Sequence, residues 1–232
     1  MAKAKRKYVC QACGSEANRW QGQCDDCGEW NTLAEEASAT VFELKHHLHS
    51  GGRSVELSGL NTDIKLPDRA STGIAEFDRA LGGGLVPGSA TLLGGDPGIG
   101  KSTLLLQICN GLAKEHVVYY FSTEESLQQV KQRAQRLDCI NDNLLFSDQA
   151  DLETIIATAQ AQKPDIVIID SIQNCYTAAA TTFPGSVGQL RESAFHLMRL
   201  AKENGITVIV SGHITKEGTI AGPKTLEHMV DA

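Results

Sequence analysis

The sequence predicts an α/β fold, a phosphate-loop core on a mostly parallel sheet, preceded by a small zinc-ribbon-like module of four cysteines. Three observations carry this. From residue 69 onward, short apolar runs alternate with segments of helical period, as in strands joined by right-handed helical crossovers. A glycine-rich turn, Gly95 to Ser102, lies between one such run and one such helix. Two Cys-x-x-Cys pairs stand in the first thirty residues, in a stretch too poor in aliphatic side chains to build its own core. The expected organisation is a cysteine module over 1–30, a linker over 31–68 and the α/β core over 69–232.

The linker reading rests on Glu35-Glu36, on His46, His47 and His49, on Gly51-Gly52, and on weak periodicity. Within the core, Ser71 and Thr72 are placed to cap a short helix over 75–81, ended by Gly82-Gly83-Gly84. Strands are expected at 90–93, 117–121, 144–146, 166–169 and 206–210. Helices are expected at 102–114, 125–137, 152–162 and 187–203. The run 166–169 is continuously β-branched, which predicts a strand buried on both faces.

Composition bounds the function. A chain of 232 residues with 41% hydrophobic and 21% charged residues is an ordinary globular one. A net charge of −7 argues against a general basic coat for nucleic acid and leaves room for a local basic channel. No apolar run can cross a bilayer, and the basic start (Lys3, Lys5, Arg6, Lys7) leads into Cys10 rather than an apolar segment. The cytoplasm is the expected location. Seven cysteines in a reducing compartment do not read as a disulfide framework, and Cys109, Cys139 and Cys175 read as small buried side chains.

The turn Gly95-Asp96-Pro97-Gly98-Ile99-Gly100-Lys101-Ser102 has the spacing of a triphosphate-binding loop. Glycines let backbone N–H groups converge on phosphate oxygens, and the following helix end adds unpaired donors. Lys101 supplies charge near the β- and γ-phosphates, Ser102 a ligand for Mg²⁺, and Thr103 a second hydroxyl. Asp170 ends the strand at 166–169, where an acid faces the ligand crevice of a parallel sheet and can hold the magnesium shell; otherwise it is a turn residue. Glu124 and Glu125 follow the strand at 117–121. One can orient or deprotonate the attacking water, the other favour a helix N-terminus, and Glu124 is the preferred catalytic residue. His213 follows the strand at 206–210 and is either a γ-phosphate sensor or a solvated loop residue. Cys10, Cys13, Cys24 and Cys27 form two knuckles whose four thiolates suit one structural zinc ion. Trp20 and Trp30 beside them read as a miniature apolar cluster in preference to a surface for base stacking.

These features together resemble the bacterial RadA (Sms) DNA-repair family. The resemblance is carried by residues 8–14, 22–32, 71–89, the phosphate loop and 226–231. It implies a RecA-like ATPase core assembled as a homo-hexamer. It also implies single-stranded or branched DNA as ligand, and an ATP-driven, helicase-like motor for branch migration that works with the RecA recombinase. It makes Glu124 the catalytic acid and sets His213 at the γ-phosphate sensor position, where the recombinase itself usually has glutamine. Loops at about 173–189 and 215–224 then face DNA, with Arg191, Lys216 and Lys224 as phosphate contacts. The family continues past this point with a Lys-Asn-Arg-Phe-Gly motif and a Lon-protease-like domain. The chain is therefore expected to be C-terminally truncated, with an incomplete core. The second functional reading is a nucleotide-gated binding module without turnover.

Overall fold

The structure, a computed structural model, describes residues 7–10, 12–36, 67–180, 184–213 and 226–232. The chain divides into two compact units that meet in sequence at Pro67 and Asp68.

In the amino-terminal unit, a three-stranded antiparallel sheet runs in the order β2-β1-β3. Its strands are β1 (Lys7–Cys10), β2 (Glu16–Ala17) and β3 (Leu33–Glu36). Tyr8 lies opposite Ala17, and Cys10 opposite Leu33. The expected module boundary at residue 30 cuts this sheet, because Leu33–Glu36 pairs with the strand that carries Cys10. The sequence Leu-Ala-Glu-Glu has too little apolar alternation to read as a strand. Leu33, a buried side chain of this small unit, anchors it. Residues 37–66, most of the expected linker, lie outside the described residues.

The second unit is built on a five-stranded sheet. Its elements are α1 (Ala75–Ala80), β4 (Ala90–Gly95), α2 (Lys101–Leu112), β5 (Val118–Ser122), α3 (Leu127–Arg136), β6 (Leu144–Ser147), α4 (Leu152–Gln162), β7 (Ile166–Asp170), a 3₁₀ turn (Ile172–Asn174), α5 (Val187–Asn204) and β8 (Thr207–His213). The strand order is β4-β8-β7-β5-β6, and every neighbouring pair is parallel.

Strand pleating explains the sequence pattern. Ile166 and Ile168 of β7 pack with α2 and α3 side chains, among them Leu105, Ile108 and Val130. Val167 and Ile169 pack on the opposite face with Ile155 of α4 and Leu197 of α5. Because side chains alternate across the sheet and helices cover both faces, β7 is apolar at every position from Ile166 to Ile169, before Asp170 closes it. Fully burying each such side chain contributes about 1.5–3 kcal/mol. The three scattered cysteines, Cys109, Cys139 and Cys175, are all buried as expected. Burial pushes the Cys175 thiol up to about 12.

Helix α1 departs from the expected capping. Its N-cap is Ile74, which makes no side-chain cap. Ser71 and Thr72 instead donate their hydroxyls to Asp78, at 2.7 and 2.6 Å, and Thr72 N adds a bond of 2.9 Å. Against the desolvation that raises it, these bonds hold the Asp78 carboxyl below its usual range. Asp78, inside the helix, thus ties the preceding loop to α1, a role that a search for a residue just before the helix overlooks.

Parallel pairing places the carboxyl ends of the strands on one edge. Gly95 is in register with His213, and Ser122 with Asp170. Because β8 and β7 lie between β4 and β5, the edge reads Gly95, His213, Asp170, Ser122 in spatial order. Because Ile169 pairs with Val210, Gly95 and His213 stand two residues further along their strands than Asp170 and Ser122. Among the described residues, no helix is long and apolar enough to cross a membrane.

Candidate nucleotide site and metal centre

The glycine-rich loop leaves β4 at Gly95 and enters α2 at Lys101. Gly98 has φ 79° and Gly100 φ 104°, a region that a Cβ disfavours, so glycine is needed at both turns. From Asp96 to Gly100 the loop is exposed, with Pro97 at its turn and Ile99 70% exposed at its tip. The first helical bond is Leu104 N to Gly100 O, at 2.9 Å. The amides of Lys101, Ser102 and Thr103 therefore point out of the helix end, the arrangement that receives anions.

Lys101 is buried, an uncommon place for a lysine. Its Nζ donates to Gly95 O at 2.7 Å and Asp96 O at 3.0 Å, and lies 3.1 Å from His213 Nδ1. An ammonium can only donate, so Nδ1 accepts and the ring carries its hydrogen on Nε2. That Nε2 lies 2.9 Å from Glu124 Oε1 and donates to it. The same Glu124 oxygen accepts from Ser171 Oγ. Lys101, His213, Glu124 and Ser171 thus form one continuous chain of hydrogen bonds across the strand ends.

The two adjacent acids have separate partners. Glu125 is ion-paired with Arg133 of α3, and its main chain is fastened to Ser122 Oγ by bonds of 2.9 and 3.2 Å. Glu124 faces His213 and Ser171. Sequence alone favoured Glu124 as the catalytic residue but gave Glu125 no partner, because nothing nearby in the sequence marks Arg133, eight residues on.

Asp170, at the end of β7, is buried. It accepts from Tyr120 Oη at 2.5 Å on one oxygen and from Ser211 Oγ at 2.6 Å on the other. Pleating sets it on the α2 side of the sheet with Ile166 and Ile168. Burial first, and then the neighbouring Asp170 charge, push the Tyr120 phenol well above its usual range, so it stays a donor. Tyr120 was missed because it sits within the apolar run Val-Tyr-Tyr-Phe. Ser211, two residues before His213 on one strand, had a signal: period 2 puts both on one side. Arg191 is exposed on α5. Lys216 and Lys224 lie outside the described residues.

The amino-terminal unit brings Cys10, Cys13, Cys24 and Cys27 together, with all four sulfurs within 4.8 Å of one another. Cys10 and Cys27 sulfurs are 3.6 Å apart. A tetrahedral four-thiolate zinc site with bonds of about 2.3 Å has sulfur–sulfur edges of about 3.8 Å, so the cluster fits such an ion. Each knuckle is closed the same way. Cys10 N bonds Ser15 O and Cys24 N bonds Glu29 O, both at 2.9 Å. The glycine after each pair, Gly14 or Gly28, has φ near 75°, at 77° and 74°. Thr32 Oγ1 lies 3.2 Å from the Cys10 sulfur, and Ser15 Oγ 3.0 Å from that of Cys24. The expected apolar cluster of Trp20 and Trp30 does not form, since the two indoles are 56% and 66% exposed.

Comparison with known proteins agrees with both units. Residues 65–219 match the model of the AAA domain, and residues 8–35 match a rubredoxin metal binding domain. The whole chain is 48% identical to DNA repair protein RadA of Pseudomonas aeruginosa and 47% identical to that of Escherichia coli K12, covering 51% and 52% of those proteins. It is 44% identical to the Bacillus subtilis RadA, again over 51% of it. The chain spans about half the length of the curated relatives it matches. The amino-terminal unit is a metal-binding ribbon and the second unit a nucleotide-binding domain; the chain belongs to the AAA-domain family and resembles RadA over its whole length.

Proposed function

We propose that this chain carries the ATP-hydrolysing part of a DNA-repair motor. The observation that supports it best is the convergence of the phosphate loop, Asp170, Glu124 and His213 on one edge of a parallel sheet, where such folds bind ligands. In this reading Gly95 to Thr103 cradle the triphosphate, with Lys101 moving from the loop carbonyls to the phosphates. Ser102 and Asp170 would hold Mg²⁺, which neutralises phosphate charge when bound. Glu124 orients the attacking water, and His213, between Lys101 and Glu124, reports whether the γ-phosphate is present. Cys10, Cys13, Cys24 and Cys27 hold a structural Zn²⁺, with no open position for substrate.

By the same reading the ligand is single-stranded or branched DNA, the assembly a hexamer, the partner the RecA recombinase and the location the cytoplasm. The relatives' name as DNA repair proteins supports the DNA assignment. Arg191, Lys216 and Lys224 are the proposed phosphate contacts.

The test is ATPase activity of the full chain with and without single-stranded DNA, beside Lys101→Ala. Turnover raised by DNA and abolished in the variant is the expected result. An unchanged rate in the variant overturns the role of Lys101. Tight nucleotide binding with no turnover, with or without DNA, favours a nucleotide-gated binding module instead.

A further inference from the structure

We infer that Ser171 is a positioning residue for Glu124, the fixed tether that aims its carboxylate during ATP hydrolysis. This rests on the ATPase reading above.

Glu124 needs a tether. Its side chain is 35% exposed and follows the end of β5 on a flexible stem. A carboxylate that orients water must be held within a fraction of an ångström of its working position. The structure gives it two partners, His213 and Ser171. They differ in permanence. The far nitrogen of His213 is bonded to Lys101, whose ammonium is required by the phosphates once nucleotide enters. When Lys101 moves, the bond that orients the imidazole is lost, so His213 is a conditional partner.

Ser171 has no such competing demand. It is 1% exposed, and its main chain is clamped on both sides by one hydroxyl. Ser171 N donates to Thr123 Oγ1 at 2.9 Å, while Thr123 Oγ1 donates to Ser171 O at 2.6 Å. Thr123 N adds a bond to Asp170 O at 2.8 Å. The ends of β5 and β7 are thereby tied together next to Glu124. The Ser171 hydroxyl donates to Oε1 from a backbone that Thr123 holds on both sides. One short segment thus serves both sides of the site, with Asp170 facing the magnesium side and Ser171 the water side.

The test is a mutant cycle in the full chain: wild type, Ser171→Ala, Glu124→Gln and the double variant, read by single- and multiple-turnover ATPase, ATP affinity and thermal melting. Ser171→Ala should lower kcat by roughly 10- to 100-fold, with KM and the Kd for ATP within about twofold of wild type. The double variant should be no slower than Glu124→Gln alone, because the tether has nothing left to aim. Three results overturn the proposal: Ser171→Ala at the wild-type rate while Glu124→Gln is crippled; a further loss of the same size in the Glu124→Gln background; or a rate loss matched by lost ATP affinity and a lowered melting temperature. If Glu124→Gln itself turns over like wild type, the ATPase reading of Glu124 fails first, independently of Ser171.

Discussion

Asp170 presents the sharpest residue-scale problem, a carboxylate kept in a nearly water-free place. Two hydroxyls, from Tyr120 and Ser211, satisfy one oxygen each. Tyr120→Phe removes one donor and keeps the packing, so a buried charged oxygen is left short of a partner, at a cost of about 1–3 kcal/mol. The melting temperature of the nucleotide-free variant should fall accordingly. With ATP and Mg²⁺ bound, the deficit should shrink if Asp170 holds the magnesium shell as proposed, because that shell would offer the carboxylate a new partner. An equal loss with and without nucleotide would mean that Asp170 does not serve the metal. The acid itself was legible in the sequence because a polar residue closing a β-branched run stands out. Its two donors were not. A tyrosine in an apolar run and a serine in a strand look like filler until three strands are laid side by side.

At the scale of elements, the strand–helix alternation was readable because burial on both faces leaves little room for polar residues, as at 166–169 of β7. Close approach of backbones was not readable. Gly111, in the last turn of α2, is such a place: a Cβ built there would lie 2.0 Å from Thr72 O and 2.8 Å from Thr72 C. Sequence reasoning treats a glycine inside a helix as a weak spot, worth up to about 1 kcal/mol against alanine. Here the helix that follows the phosphate loop rests on the 72–73 backbone, and that backbone is fixed by Asp78. Gly111→Ala should therefore destabilise the chain by about 1–3 kcal/mol, although it improves helix propensity. Thermal or denaturant unfolding checks this, and a stabilised variant would show that the 72–73 segment yields. ATP affinity should weaken in the same variant, since displacing α2 displaces the amides of Lys101 to Thr103.

For the whole molecule, the two units differ in what holds them. The second unit has a double-faced apolar core, with residues such as Leu105, Ile108, Ile168 and Ile209 shielded completely. The described part of the first has short strands, few buried apolar side chains (Val9 and Leu33), and four converging sulfurs. So small a set of buried apolar side chains in the described part is the situation in which a metal serves as the staple. Its ligand spacing was legible because two Cys-x-x-Cys-Gly repeats encode two identical turns. The strand Leu33–Glu36 was not, because its order follows from the knuckles rather than from its own residues. Chelating the metal should therefore unfold the amino-terminal unit and leave the parallel sheet intact. The exposed Trp20 and Trp30 both lie in that unit and are the chain's two tryptophans, so their fluorescence reports on it alone. The expected outcome is a changed tryptophan spectrum at a zinc-to-protein ratio falling from one to zero, with far-ultraviolet helical signal and nucleotide binding preserved. Cys27→Ser, which removes one of the four thiolates, should show the same spectrum without chelator. Loss of nucleotide binding along with the metal would mean that the second unit depends on the first for its fold, and a parent protein with no bound zinc would remove the centre altogether.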